Sequence, residues 1–422
     1  MNGITARVAE FTVHTPADAL PADLVARALD AIVDGAACLL AGYDTPVYRA
    51  VEATSADPTF WAGVAVHALD FDDSLHPATM HPTCVLLPVL LTADLDASGA
   101  DLLAAYTIGL EASARLADAL GRQHYLAGWH TTGTVGTLAA AVASARLLGL
   151  TADQTCHALA LAASMAGGLR VNLGSEVKPV HAGLAAAGGM LAARLAAAGV
   201  QGDPDALGRP LGFLDVFAEH ADPEPLSTLG EHVGVGYHLG VKPYACCGEA
   251  IGAVEAALEL STKVDPGEVT SIEVATNRIS HEILRYPEPA TESEARFSLQ
   301  FCVARALATG EFPLRLDFPT LRADPALTRL AGAIEWSVDP AAAQQREFGA
   351  DVTVHTRGGE TVHHRVDTTI GWHERRLPRS VQRAKFLDCA GGPWADEVFD
   401  TITRLPEIDA VTFASALARR PA

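Results

Sequence analysis

"KPVHAGLAAAGGMLAARLAAAGV", residues 178–200, is a run of alanine and leucine broken only by glycine and single polar residues. Alanine and leucine are strong helix formers, so the stretch reads as a helix. Its small residues lie on several faces and let neighbouring backbones come close, which points to a helix inside a tightly packed bundle. The same texture returns in "SGADLLAAYTIGLEASARLADALG" (98–121), "GTVGTLAAAVASARLLGL" (133–150) and "TADQTCHALALAASMAGG" (151–168), with Ser98 or Asp101 as caps for the first of them. Between Pro21 and Gly42 the residues Leu24, Ala28, Ile32, Ala36 and Leu39 recur at helical spacing. No fixed-period repeat of the solenoid kind is present.

Near Lys242 the texture changes. After the helix-like "GEAIGAVEAALELS" (248–261) come "VTSIEVATN" (269–277), "DVTVHTRG" (351–358) and "ETVHHRVDT" (360–368), rich in β-branched residues with alternating polarity. "TESEARFSLQFCVARALATG" (291–310) reads as one helix opened by a Thr291/Glu294 capping box. From "LPRSVQRAKFLDCAG" (377–391) the pattern is helical again. The expected fold is therefore mainly α: a large all-helical domain formed by both chain ends, 1–239 and 372–422, with an inserted α+β lid domain over 240–371. The cleft between them is the expected site.

Composition narrows the function. The 422 residues carry a formal net charge of −21, which argues against nucleic acid or an anionic membrane as partner. An anionic ligand must then be met by a few locally placed cations. Hydrophobic residues at 49% and charged residues at 19% supply a sizeable core. Seven cysteines without a CxxC pair fit a reducing cytoplasm, and neither a secretory signal nor an uninterrupted apolar run of about 18 residues is seen.

Four polar groups stand out. "HALDFDDSLHPATMHP" (67–82) holds Asp70, Asp72, Asp73, Ser74, His76 and His81; "GWHTTGTVG" holds His130 before a helix; "SEVKPVHAG" holds Lys178 and His181; "VKPYACCGE" sets Lys242 beside Cys246 and Cys247. Each has a plainer reading: a solvated or helix-capping role for at least two of the three aspartates, a hydrogen-bonded turn for His130, a helix-start lysine, cysteines that merely pack. Asp/His mixtures can also bind zinc, iron or manganese. The run contains no HExxH and no His-Asp dipeptide, and the chain has no GxGxxG after a strand, no GxxxxGK[ST] and no GxSxG. The expectation is acid/base chemistry with no metal and no cofactor.

Taken together, "HALDFDDSLHPATMHP", "GWHTTGTVGTLAAA", "EVKPVHAG", "VKPYACC", "EARFSLQF" and "LPRSVQRAKF" resemble the MmgE/PrpD family, which includes 2-methylcitrate dehydratase, cis-aconitate decarboxylase and iminodisuccinate epimerase. The resemblance implies a homodimer with a metal-free site between a helical domain and a lid. It carries site positions onto Asp70, Ser74, His81, His130, Lys178 and Lys242. It further implies proton transfer by His130, an imidazole at His81 oriented by Asp70, stabilising charge from Lys178 and Lys242, and substrate contacts from Ser74, Lys242 and Cys247. Three departures stand out: Met80 lengthens the spacing from Asp70 to His81 by one residue; "KPYACCGEAI" offers Cys247, Glu249 and Ile251 where many relatives carry histidine; and Phe301 falls where the decarboxylase has a tyrosine. The expected activity is a hydro-lyase acting on a small citrate-like polycarboxylate or hydroxy acid, with epimerisation or decarboxylation as alternatives and a non-catalytic small-acid-binding protein as the alternative of another class.

Overall fold

The computed structural model describes residues 3–420 apart from 77, 93–95, 232–237, 340–347 and 373–374. The chain is mostly helical with small sheets, 61% helix against 9% strand. The opening stretch forms the helix Val177–Ala197, which by length and composition could cross a membrane; its apolar window is 56% buried against neighbouring helices. The other Ala-rich stretches form Gly99–Leu126, Thr131–Leu147 and Ala152–Met165. Ser98 caps the first through a box with Asp101, and Thr151 caps the last through a box with Gln154.

Glycine sets how closely these helices pack. Pro58–His67 crosses Val177–Ala197 where Gly63 faces Gly183, and a methyl group on Gly63 would meet the Gly183 Cα at 2.8 Å. That close approach seats His67, at the end of one helix, against Lys178, at the start of the other.

Two hydrophobic cores account for most buried side chains. The larger runs from Val8 to Ala245 and takes in Phe386, Cys389, Val398, Phe413 and other residues of the last helices. The second gathers residues from Cys246 to Trp372, together with Tyr125 and Leu173. Four strands lie in the second region: β3 (Val269–Thr276), β4 (Ile334–Val338), β5 (Ala350–Thr356) and β6 (Thr361–Val366), in the order β4-β3-β5-β6. β3 is parallel to β4 and antiparallel to β5, and β5 is antiparallel to β6. Sequence patterning located three of these strands and missed β4, although its "IEWSV" alternates apolar and polar residues.

The expected single helix over 291–310 is two, Glu292–Ala295 and Leu299–Thr309. Ser298 leaves helical geometry and caps the second through Phe301 N. A two-residue ladder joins β1 (Ser74–Leu75) to β2 (Leu239–Gly240), pairing Ser74 with Gly240 and carrying the Lys242 segment to the aspartate run. Only glycine fits at position 240, because a Cβ there would lie 1.9 Å from the Trp372 ring.

Candidate active site

The aspartate-rich run is buried, not solvated. Asp70, Asp72 and Asp73 are 5%, 0% and 0% exposed, so each must be paired to repay its desolvation. Asp73 holds the start of helix Thr83–Thr92, accepting from Thr83 N at 3.1 Å and Thr83 Oγ1 at 2.6 Å; burial and the neighbouring Asp72 push its carboxyl well above the usual range. Asp72 pairs with His67, whose Nδ1 lies 2.8 Å from Oδ2. Burial disfavours the Asp72 charge, but His67 and His81 overcome that and hold its carboxyl low.

Asp70 sits in the left-handed region at φ 50°. Its Oδ1 accepts from Lys178 Nζ and from Lys242 Nζ, each at 2.8 Å, and Lys242 Nζ also donates to the Asp70 carbonyl at 2.9 Å. Against the effect of burial, the two ammonium groups keep the Asp70 carboxyl well below the usual range. Its Oδ2 is buried and has no hydrogen-bond partner among the described residues. Lys178 also reaches His67 Nε2 at 2.8 Å, so two of its three N–H bonds are committed and one is left for a ligand.

This network corrects two expected roles. Asp70 does not orient His81, whose Nε2 stands 4.0 Å from Oδ1; it binds the two lysines. Lys242, expected to contact a substrate, is fully buried and absent from the cavity lining, and its hydrogen bonds go to Asp70, making it the counter-charge behind the wall. Lys385, from helix Arg379–Ala390, secures this arrangement by donating to the carbonyls of Phe71 and Lys242 at 2.8 Å each while pairing with Asp34 at 2.5 Å.

A cavity of about 50 Å³ opens between the two cores, its wall including Asp70, Ser74, His81, His130, Lys178 and Cys247. Six of the seven expected site residues thus meet in one place, Lys242 being the exception. Met80 does not displace His81: it is fully buried and pairs back to Leu75, so the extra residue anchors a tight loop. His81 Nδ1 donates to the Asp73 carbonyl at 2.6 Å, which leaves Nε2 as the available lone pair. His130 precedes helix Thr131–Leu147 and shares a hydrogen bond with His181, Nδ1 to Nδ1 at 3.1 Å, so one of the two rings carries the proton between them. Burial pushes both His130 and His81 well below the usual imidazole range, Lys178 adding to it; burial likewise takes His181 down to about 4. His81 and His130 therefore line the free site as neutral imidazoles. Cys247 belongs to the wall as a thiol, because burial pushes its pKa up.

Phe301 lies away from the cavity wall, packed against Phe318 with ring centres 5.7 Å apart in the second core. Phe297 lines the cavity instead, at the helix break, with Lys178 Nζ 5.6 Å from its ring centre.

Three participants escaped the sequence reading. His67 joins Asp72 to Lys178 but was indistinguishable from its neighbours in the run. Tyr125 reaches the cavity because Gly121 (φ 64°, ψ 176°) breaks its helix; its ring lies under Arg170 at 4.5 Å and burial pushes its phenol up. Glu249 was noted only as a replacement for another residue type, and it lines the cavity at 6% exposure.

Among the described residues, His67, Asp70, Asp72 and His81 place ligand atoms within 4.8 Å of one another, a set that could hold a metal ion. Both nitrogens of His67 are already engaged, by Asp72 and by Lys178, and the Asp70 oxygen nearest the cluster takes two ammonium groups. The lysines supply the positive charge that these carboxylates require.

Residues 52–226 match the MmgE/PrpD N-terminal domain and residues 244–403 the MmgE/PrpD C-terminal domain. The chain is 30% identical over 385 residues to the cis-aconitate decarboxylase of Mus musculus, spanning 86% of this chain and 78% of that protein. To the cis-aconitate decarboxylase of Homo sapiens it is 29% identical over 351 residues, 78% of this chain and 72% of that one. To that of Aspergillus terreus it is 31% identical over 298 residues, 62% and 61%.

Proposed function

The chain belongs to the MmgE/PrpD family, and from that premise we propose that it is a lyase that needs no cofactor, removing a proton next to a carboxylate of a small hydroxy acid and releasing water. One observation carries the reading: two imidazoles, His130 held neutral by burial and His81 beside two carboxylates, share a buried cavity with the uncommitted N–H of Lys178. The substrate carboxylate takes that N–H and the Ser74 hydroxyl. With Nδ1–H donated to His181, His130 Nε2 is the base, and neutral His181 steadies the imidazolium that forms. Negative charge then builds on the carboxylate, where Lys178, itself buried, meets it. His81 serves the departing hydroxyl as imidazolium, a state favoured by an incoming anion and by Asp70 and Asp72 at 4.0 and 3.8 Å. The α+β segment acts as the lid in this reading, and the working unit is a cytoplasmic homodimer.

Decarboxylation is the second reading, supported by the activity named for the similar proteins. The absence of a hydroxyl at Phe301 does not argue against it, since that side chain packs elsewhere. The two readings separate by mass after incubation with a panel of small acids in heavy water. Loss of water to an unsaturated product is the expected result. Carbon dioxide as the main product would replace the first reading by the second; deuterium gain with retained formula would make the enzyme an epimerase; and no exchange with any acid that binds would leave a binding protein.

A further inference from the structure

The cavity is poor in positive charge. Lys178 is the only lysine or arginine among its described lining residues, and its charge is already shared with Asp70. Counting Lys242 behind the wall, the two ammonium groups face two carboxylates, Asp70 and Glu249, and these four charges cancel. A trianion entering it would lose its hydration without a matching cation, a large cost in a buried place.

Glu249 is the charged group on the wall supplied by the second core. It stands in the first turn of helix Gly248–Ser261, where the helix N-terminus favours an anion. Its Oε2 is fixed by Asn277 Nδ2 at 3.1 Å and Ser280 Oγ at 2.8 Å, and the two held donors orient the carboxylate in the cavity wall. The carboxylate is therefore built in, not a surface side chain that has folded over. Across the cavity, the buried Asp70 Oδ2 is a second acceptor without a partner among the described residues. Two carboxylates facing one small space call for a ligand that donates hydrogen bonds.

We infer that Glu249 sets substrate specificity, accepting a hydrogen bond from a hydroxyl or amino group beside one carboxylate of a small dicarboxylic acid and excluding a third carboxylate. This rests on the reading of the cavity as a small-acid site, and deepens it. The hydroxyl and amino forms share the donor; they differ in whether the ligand also brings a positive charge to Glu249.

Calorimetric titration of the intact protein with succinate, malate, aspartate and tricarballylate tests it. Malate or aspartate is expected to bind at least tenfold more tightly than succinate, which lacks the donor, and than tricarballylate, which adds a carboxylate. Whichever of the two binds more tightly identifies the donor. Glu249→Gln is expected to shrink the margin over tricarballylate at least tenfold, and Glu249→Asp, which keeps the charge, to preserve the order of preference. Tricarballylate or succinate binding the wild-type protein as tightly as malate and aspartate would overturn the inference, as would binding of none of the four. An unchanged order in Glu249→Gln would do the same. The wild-type panel can overturn the inference even if a variant fails to fold. Hydrogen exchange with heavy water is scored separately: the predicted order without exchange sinks the lyase and leaves Glu249 as the selector, whereas exchange with an unselective Glu249 does the reverse.

Discussion

The two walls of the cavity are built on different principles. The wall from the larger core is a hydrogen-bonded network in which Asp70, Asp72, His67 and Lys178 hold one another at 2.8 Å, with Lys242 behind. The opposite wall is mostly apolar, Ile283, Phe297 and Phe348 with the Cys247 thiol, and Glu249 as its charge. A network of this kind fixes geometry and proton inventory, so altering one member disturbs the rest. An apolar wall with one fixed carboxylate acts on shape and charge, so its residues can change separately. Chemistry resides on the first wall and selection on the second.

The largest effect should come from the chemical wall. His130→Gln is expected to lower kcat by about 10²- to 10⁴-fold, because an amide can hydrogen-bond to His181 but cannot carry the proton. Steady-state rates beside a thermal melt check this; a variant that keeps more than about a tenth of wild-type kcat would move proton transfer to another residue. Next, Lys385→Met should cost about 3–5 kcal/mol in denaturant unfolding, since it strands buried Asp34 and frees two carbonyls. An unfolding midpoint within error of wild type would show that the network does not depend on its support.

Acid acts on the same wall more gently. His81, His130 and His181 have folded pKa values below the ordinary 6.5, the last at about 4, so between those limits the unfolded chain binds more protons and stability rises with pH. Asp34, raised to about 6 chiefly by burial, and Asp73, pushed well above the usual carboxylate range by burial and by Asp72, work in the opposite sense, while His67 and His124, also lowered by burial, join the three imidazoles. Melting temperature should therefore fall as pH is lowered from about 7 to 5; a flat profile would mean that the imidazoles are not buried neutral. The smallest effect belongs to the selecting wall. Cys247→Ser should change kcat less than about threefold, because a thiol kept protonated by burial supplies neither charge nor nucleophile. A loss of tenfold or more would erase the contrast between the walls.

How much of this was legible in the sequence follows the same division. Asp70, His81, His130 and Lys178 stood in compact motifs, and the folded chain brings them to one cavity. The helices were equally readable because their small-residue faces declare close packing. Lys242 was legible as a charge but not as a buried one, since its burial depends on the β1–β2 ladder and on Lys385, contributed 143 residues later. Tyr125 arrives through a kink and Phe297 through a helix break, both decided by tertiary packing. Glu249 showed only as a departure from the histidine of many relatives, because Asn277 and Ser280, which orient it, follow 28 and 31 residues later.

Lys385 also gives the site a place in time. Its bond to the Phe71 carbonyl joins residues 314 positions apart. At a synthesis rate of about 5–20 residues per second, roughly 15–60 s separate the appearance of one from that of the other. During that interval the aspartate run, its lysines and its histidines have all been made, and the clamp that fastens Phe71 to Lys242 has not. A nascent chain halted before residue 385 therefore holds every acid, base and cation of the cavity without the tie that registers them. Activity should appear only near the end of translation, when the last helices close onto the first.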